Sequence, residues 1–196
     1  MAAEDVPNPY LDQVQGVLDD PASFGARTAA VSRFSFTVPS ARGLQLVARY
    51  SHDGLLDPLA GTGYWGSLLN KMGIRTTLTD MAPVGKGNTY HDEAHADVEQ
   101  MDGVEAVRRY GDDHGAMLLS WVPYDSAIGE QLPAAYTGNT VIVIGEGCGG
   151  CCGTDEMFET LDRDWDNVAS CGPPQWRGLH DTIQVYRRRA PHSSSL

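Results

Sequence analysis

The 196-residue chain carries 26 Asp and Glu against 14 Lys and Arg, a formal charge of −12, and is 41% hydrophobic and 20% charged. Its length suits one domain with a substantial core, the acidic balance repels phosphate backbones, and no apolar run approaches the ~20 residues of a membrane span. A globular protein without a nucleic-acid or membrane partner is expected, and a homodimer is one open assembly.

Residues 1–9 are polar and acidic and lack the basic-then-apolar pattern of a secretory leader, so the cytoplasm is the expected compartment. Residues 1–40 hold Pro7, Pro9, Pro21 and Pro39 with short apolar clusters such as Phe34 and Phe36. They read as an irregular or helical preface, packed over the main domain as a lid. Residues 41–189 form that domain, and the Pro, His and Ser of the tail, 190–196, have little to bury and should fray.

Within the domain, Leu55 and Leu56 form a short strand that runs into Asp57-Pro-Leu-Ala-Gly61-Thr62-Gly63-Tyr64-Trp65-Gly66. A helix over 64–72 follows, because Trp65, Leu68, Leu69 and Met72 recur at helical spacing and Gly73 suits a left-handed C-terminal cap. Residues 75–79 read as a strand ending at Asp80, and 116–120 and 140–144 as buried strands. Thr154 should cap a helix whose Asp155 and Glu156 suit its positive end, with Met157, Phe158, Leu161 and Trp165 turned inward. Residues 182–186 read as the last strand. Alternating strands and helices predict an α/β sandwich with a mostly parallel central sheet, with its ligand at the carboxyl ends of the strands.

The glycines of the G-x-G-x-x-G loop let the backbone turn tightly and approach a nucleoside-containing cofactor. Asp80, 19 positions after Gly61, lies near the offset at which a carboxylate accepts ribose hydroxyls. A pyrophosphate cofactor is disfavoured by Asp57 at the loop entrance, whereas the sulfonium and ammonium of S-adenosylmethionine suit it. The expected cofactor is therefore S-adenosylmethionine.

DPLAGTGYWG resembles the first motif of the class I methyltransferases and TLTD their second, over residues 55–143. More narrowly, SFTVPS, AGTGYWGSLL, NTYH, LLSWVPYDS, IGEGCGGCCGTDEMF and WRGLHD are similar to a family of methyltransferase-like proteins. The resemblance implies a Rossmann-like sandwich. It also implies that Asp57, Gly61 and Gly63, with Thr62, Tyr64 and Trp65 of the same loop, meet the cofactor's methionine part. Asp80 then meets the ribose, and Asp97 and Val98 lie in the adenine region. Ser120-Trp121-Val122-Pro123-Tyr124 resembles the fourth motif of amino-methyltransferases, which places Ser120 and Trp121 beside the cofactor. Trp121 and Val122 stand where that motif has a polar residue and a first proline, so an amine-gripping arrangement is in doubt. Trp121 and Tyr124 remain as walls for a planar or cationic ligand.

Three residues are candidates for chemistry: Tyr124; Glu146, after strand 140–144, as an amine-orienting group or base; and His91, as a group that titrates near neutrality. Asp181 either orients His180 or fastens the last strand. No metal is expected, because Cys148-x-x-Cys151 has the spacing of half a zinc knuckle and Cys152 and Cys171 supply no second pair. The expected activity is methyl transfer to nitrogen or oxygen of a small molecule. The alternatives are a cyclisation or elimination driven by the same sulfonium, a non-catalytic S-adenosylmethionine-binding module and, least favoured by charge, nucleic-acid methylation.

Overall fold

Consecutive residues of a strand face opposite sides of its sheet, so continuous apolar runs supply two hydrophobic layers at once. The computed structural model, which describes residues 1–190, is built on that device. The expected fraying of the tail falls largely on residues 191–196, outside the described residues.

The chain begins with a short 3-10 turn and the helices α1 (Pro9–Val14), α2 (Phe24–Arg33) and α3 (Ala41–Tyr50). Strand β1 (Leu55–Asp57), helix α4 (Tyr64–Lys71), strands β2 (Thr76–Asp80) and β3 (Glu99–Gln100), helix α5 (Gly103–Tyr110) and strand β4 (Ala116–Ser120) follow. Helix α6 (Ile128–Ala135), strand β5 (Thr140–Gly145), helix α7 (Asp155–Asp164) and strands β6 (Trp165–Cys171) and β7 (Thr182–Arg188) complete it. Among the described residues, no helix is long and apolar enough to cross a membrane.

The strands form one seven-stranded sheet in the order β3-β2-β1-β4-β5-β7-β6. Strands β1 to β5 run parallel, β7 is antiparallel to β5, and β6, antiparallel to β7, returns in the direction of the first five. Leu55, Leu118, Ile142, Ile144, Ile183 and Val185 pack with α1, α3 and α4 on one face. Their neighbours Leu56, Met117, Leu119, Val141, Val143 and Tyr186 pack with α5, α6 and α7 on the other. Each such fully buried aliphatic side chain contributes roughly 1.5–3 kcal/mol. Tyr10, Phe34 and Val38 of the preface lie in the first of these cores and are 0%, 1% and 0% exposed, so residues 1–40 share the hydrophobic centre of the sheet.

The local signals fall where the sequence puts them. Gly73 has a left-handed φ of 89° just beyond α4, and the Thr154 side chain accepts the amide of Met157 as the cap of α7. Trp165 is buried as expected, but it opens β6 and does not extend α7. The sequence reading contains neither β6 nor β3, nor the helices α3, α5 and α6.

Candidate functional site

Strand order reverses between β1 and β4, and in open α/β sheets a crevice opens at such a point beyond the carboxyl ends of the strands. Here it is a cleft of about 720 Å³, within the roughly 300–1,000 Å³ of small-molecule sites. The ends of β1, β2 and β4 supply Asp57, Asp80 and Ser120, and the preface supplies Ser35 and Phe36. The loop after β2 adds Met81, Asn88, Tyr90 and His91.

Asp57, the last residue of β1, is 2% exposed. Its carboxylate accepts one bond, from the amide of Leu59 at 3.3 Å, and burial, with a smaller push from Asp80, raises its pKa to about 7. A buried carboxyl with so little compensation is stabilised by an incoming cation. At the end of β2, Asp80 accepts the amides of Gly61 at 2.9 Å and Ala82 at 2.8 Å, one on each oxygen. Each oxygen keeps a further lone-pair site for a hydroxyl donor.

Between these two carboxyls runs the glycine loop. Gly61 and Gly63 have φ of 54° and 73°, a region that favours glycine, and a Cβ at Gly63 would meet Ala96 Cβ at 2.9 Å. Gly66 has a different task, since a Cβ there would meet Leu78 Cδ2 at 2.5 Å and hold α4 off the sheet. Thr62 ties the loop to the preface by donating to the carbonyl of Phe34. Tyr64 donates to Asn8 Oδ1 at 2.9 Å and accepts the amide of Tyr10 at 3.1 Å. Trp65 lines the cleft as a buried side chain whose Nε1 has no partner among the described residues. A backbone cradle, a buried unneutralised carboxyl and an orphaned indole N–H fit a polar, cationic cofactor better than a closed core does.

The opposite wall is aromatic. Trp121 has φ of 50°, a left-handed conformation that costs a non-glycine residue on the order of 1–3 kcal/mol. Its Nε1 donates to Thr37 Oγ1 at 2.8 Å and to Asp181 Oδ2 at 3.3 Å, and Phe36 stacks on its ring at 4.7 Å and 12°. Asp181 thus fastens the aromatic wall to the start of β7. His91 and Tyr90 meet Phe36 edge-on, and Tyr124 stands 67% exposed at the mouth.

His91 Nδ1 lies 2.7 Å from the carbonyl of Val31. A carbonyl only accepts, so Nδ1 carries the proton and Nε2 presents its lone pair. Among the described residues no hydrogen bond reaches Nε2, and it sits 3.2 Å from where a Cβ of Gly61 would stand. Burial lowers the pKa of His91 below the usual imidazole value, which keeps it neutral near pH 7.

The structure therefore brings Asp57, Gly61, Thr62, Tyr64, Trp65, Asp80, His91, Ser120, Trp121 and Tyr124 to one cleft. Gly63 and Val98 support it from behind, packed on each other. Asp97 is exposed and, like Val98, is not among the residues lining the cleft, whereas Asp102 and Gly103 are. The reason is chain geometry: β3 starts only at Glu99, so the chain reaches the carboxyl edge at Met101.

Glu146 also departs from its expected part in chemistry. Its two oxygens accept the amides of Cys151 and His180, each at 2.9 Å, and it does not line the cleft. Burial alone would raise its pKa, but those amides hold it below the usual carboxylate value. A carboxylate so bound is a backbone brace and a poor base. Cys148 and Cys151 are exposed and Cys152 and Cys171 buried, with Cys151 at the rim of the cleft. Phe36, Met81, Tyr90 and Asp102 have no site role in the sequence expectations; the advance signals were Phe36 within the SFTVPS motif and Tyr90 within NTYH.

No family model matches the sequence, and no curated protein does. Solved structures do resemble it. The magnesium protoporphyrin IX methyltransferase of Synechocystis PCC 6803, solved with bound S-adenosylmethionine, has a TM-score of 0.55 at 11% identity, over 96% of this chain and 98% of its own. Sp1610 of Streptococcus pneumoniae, provisionally assigned as a tRNA (m1A22) methyltransferase, has a TM-score of 0.53 at 16% identity, over 80% and 73%. The 1,6-didemethyltoxoflavin N1-methyltransferase of Burkholderia thailandensis, solved with S-adenosylhomocysteine and its substrate, has a TM-score of 0.50 at 15% identity, over 87% and 80%. Sheet order, glycine loop and these neighbours agree: the chain has the Rossmann-like fold of the class I methyltransferases.

Proposed function

We propose that the protein is an S-adenosylmethionine-dependent methyltransferase with a small-molecule acceptor. The observation that carries the reading is the buried, uncompensated Asp57 carboxyl beside the Gly61–Gly63 cradle at the strand-order reversal. Asp57 binds the cofactor's positive charge, Asp80 takes ribose hydroxyls, and the wall from Trp65 to Trp121 excludes water. S-adenosylmethionine supplies an electrophilic methyl group that is already activated, so alignment does most of the catalytic work.

The remaining demand is a place for the acceptor's proton. His91 Nε2, neutral and directed to the Gly61 loop, meets it, and this favours transfer over a module that only binds. Ser35 and Phe36 reach the cleft from residues 1–40, a segment that is itself part of the core and so supplies a fixed wall of the acceptor site in place of a separate lid on residues 41–189. Two of the solved neighbours are described as acting on small molecules and one is assigned to tRNA. The charge of −12 favours the former kind of acceptor. Calorimetric titration with S-adenosylmethionine, S-adenosylhomocysteine and, as control, NAD tests the reading. Micromolar binding of the sulfur compounds alone is expected; no binding of either would overturn it.

A further inference from the structure

We infer that the acceptor is a planar aromatic hydroxyl compound, a phenol or a hydroxylated heteroaromatic ring, laid on the Phe36–Trp121 wall with its hydroxyl on His91 Nε2. The inference rests on the methyl-transfer reading and deepens it.

Three observations converge. The first is apolar exposure at the mouth. Of the six large hydrophobic residues that stand exposed among the described residues, Met81 (68%), Tyr90 (68%) and Tyr124 (67%) all border this one cleft. Exposed apolar groups concentrated at one opening mark a surface that a ligand covers. The second is ring geometry. Phe36 stacks on Trp121, and its ring is met edge-on by Tyr90, at 5.7 Å and 63°, and by His91, at 5.2 Å and 70°, so the rings form one continuous wall that matches a flat ligand by stacking and edge contacts.

The third is an open acceptor. His91 Nε2, which no hydrogen bond reaches among the described residues, belongs to the ring that meets Phe36 and lines the same cleft. Its lone pair matches a hydroxyl donor, and a quaternary cation offers it no proton. Acidity then narrows the class: a phenol with a pKa of about 10, like tyrosine, can pass its proton to an imidazole in a transition state, whereas an aliphatic alcohol is far too weak an acid. The step balances. The hydroxyl proton passes to His91 Nε2, an oxygen lone pair forms the O–CH3 bond, and the S–CH3 bonding pair stays on sulfur, which turns the sulfonium into a neutral thioether.

The test is calorimetric binding of 2-naphthol, its saturated counterpart decahydro-2-naphthol and the quaternary cation 2-naphthyltrimethylammonium, with and without saturating S-adenosylhomocysteine. We expect 2-naphthol to bind at least about tenfold tighter than either competitor, and Tyr90→Ala to weaken it by about tenfold with S-adenosylhomocysteine affinity unchanged. Tyr90 is largely exposed, so this variant spares the core. His91→Gln should keep the naphthol bound while its ionisation, read by absorbance, returns towards its value in water. Equal affinity for the saturated alcohol, preference for the cation, or indifference to Tyr90→Ala would each overturn the inference. Naphthol binding without S-adenosylhomocysteine binding would overturn the methyl-transfer reading and keep the aromatic site. The reverse pattern would overturn the aromatic acceptor alone.

Discussion

The sheet has a cleft at each end, and each holds a histidine whose pKa burial lowers. At the amino ends of β4 and β5, His114 is 4% exposed and both of its ring nitrogens are engaged. Nδ1 is 2.7 Å from the carbonyl of Tyr110, and Nε2 is 2.9 Å from Thr77 Oγ1 and 3.1 Å from an Arg75 nitrogen. At the carboxyl ends, His91 uses Nδ1 alone, Asp57 accepts only the amide of Leu59, and neither His91 Nε2 nor Trp65 Nε1 has a hydrogen-bond partner among the described residues. One end satisfies its polar groups internally; the other holds them in reserve for a ligand. Histidine, burial and a lowered pKa occur at both, so the open valence is what separates them and what the proposed role of His91 rests on.

The comparison breaks most visibly in the rate. His91→Gln should lower turnover by roughly 10²–10⁴-fold, the usual worth of a general base, with melting temperature nearly unchanged. Single-turnover methyl transfer read beside a thermal melt checks it, and an unchanged rate would make His91 a twin of His114.

Next in size is the loss of a charge that the fold does not use. Asp57→Asn should weaken S-adenosylmethionine binding about 10- to 100-fold, since a hydrogen bond to a charged group is worth about 1.5–3 kcal/mol. The pH dependence has a definite sign. With its pKa raised to about 7, Asp57 favours folding while protonated, and that contribution fades as pH rises from the ordinary carboxylate range through 7. The ligand-free wild type should therefore gain less than Asp57→Asn in melting temperature between pH 5 and pH 8. Its affinity for the cofactor should move oppositely and strengthen over the same span. Calorimetry and melts at the two pH values read both.

His114→Gln should do the reverse of His91→Gln: a loss of about 1–3 kcal/mol of stability from unsatisfied buried partners, with cofactor affinity preserved. Because burial depresses the His114 pKa, its contribution is present above the ordinary histidine value of about 6.5 and is lost as pH falls through the lowered one. Urea titrations at pH 8 and pH 5.5 should show the gap between wild type and variant shrinking at the lower pH.

The smallest effect is expected at Glu146. Glu146→Gln keeps one acceptor oxygen for the amides of Cys151 and His180, so a stability loss of about 1 kcal/mol should come with near-normal turnover. A large fall in turnover with intact stability would return Glu146 to the chemistry.

Much of this was legible in the chain alone. The strand 116–120, the helix after the glycine loop, the left-handed Gly73 and the Thr154 cap are local matters. Apolar spacing and single-residue backbone preference over a few positions settle them. The pairing of Asp57 and Asp80 around the loop was equally accessible, because a strand–loop–helix unit places both carboxyls at the same edge. Strands β3 and β6 were hidden for a local reason too: β3 has two exposed residues, and the middle of β6 is mostly exposed, so neither shows the apolar pattern that marks a strand.

What tertiary structure decided is which groups meet. Trp121 and Thr37 are 84 positions apart, yet a hydrogen bond between them sets the aromatic wall, and Phe36 joins the site only because the preface packs into the core. Glu146 looks like an uncovered carboxylate in sequence and becomes a brace because two loops fold their amides onto it. His91 and His114 are indistinguishable as letters. Propensity and periodicity act through neighbours in the chain, whereas the hydrogen-bond valence left open to a ligand depends on every long-range contact made around a group.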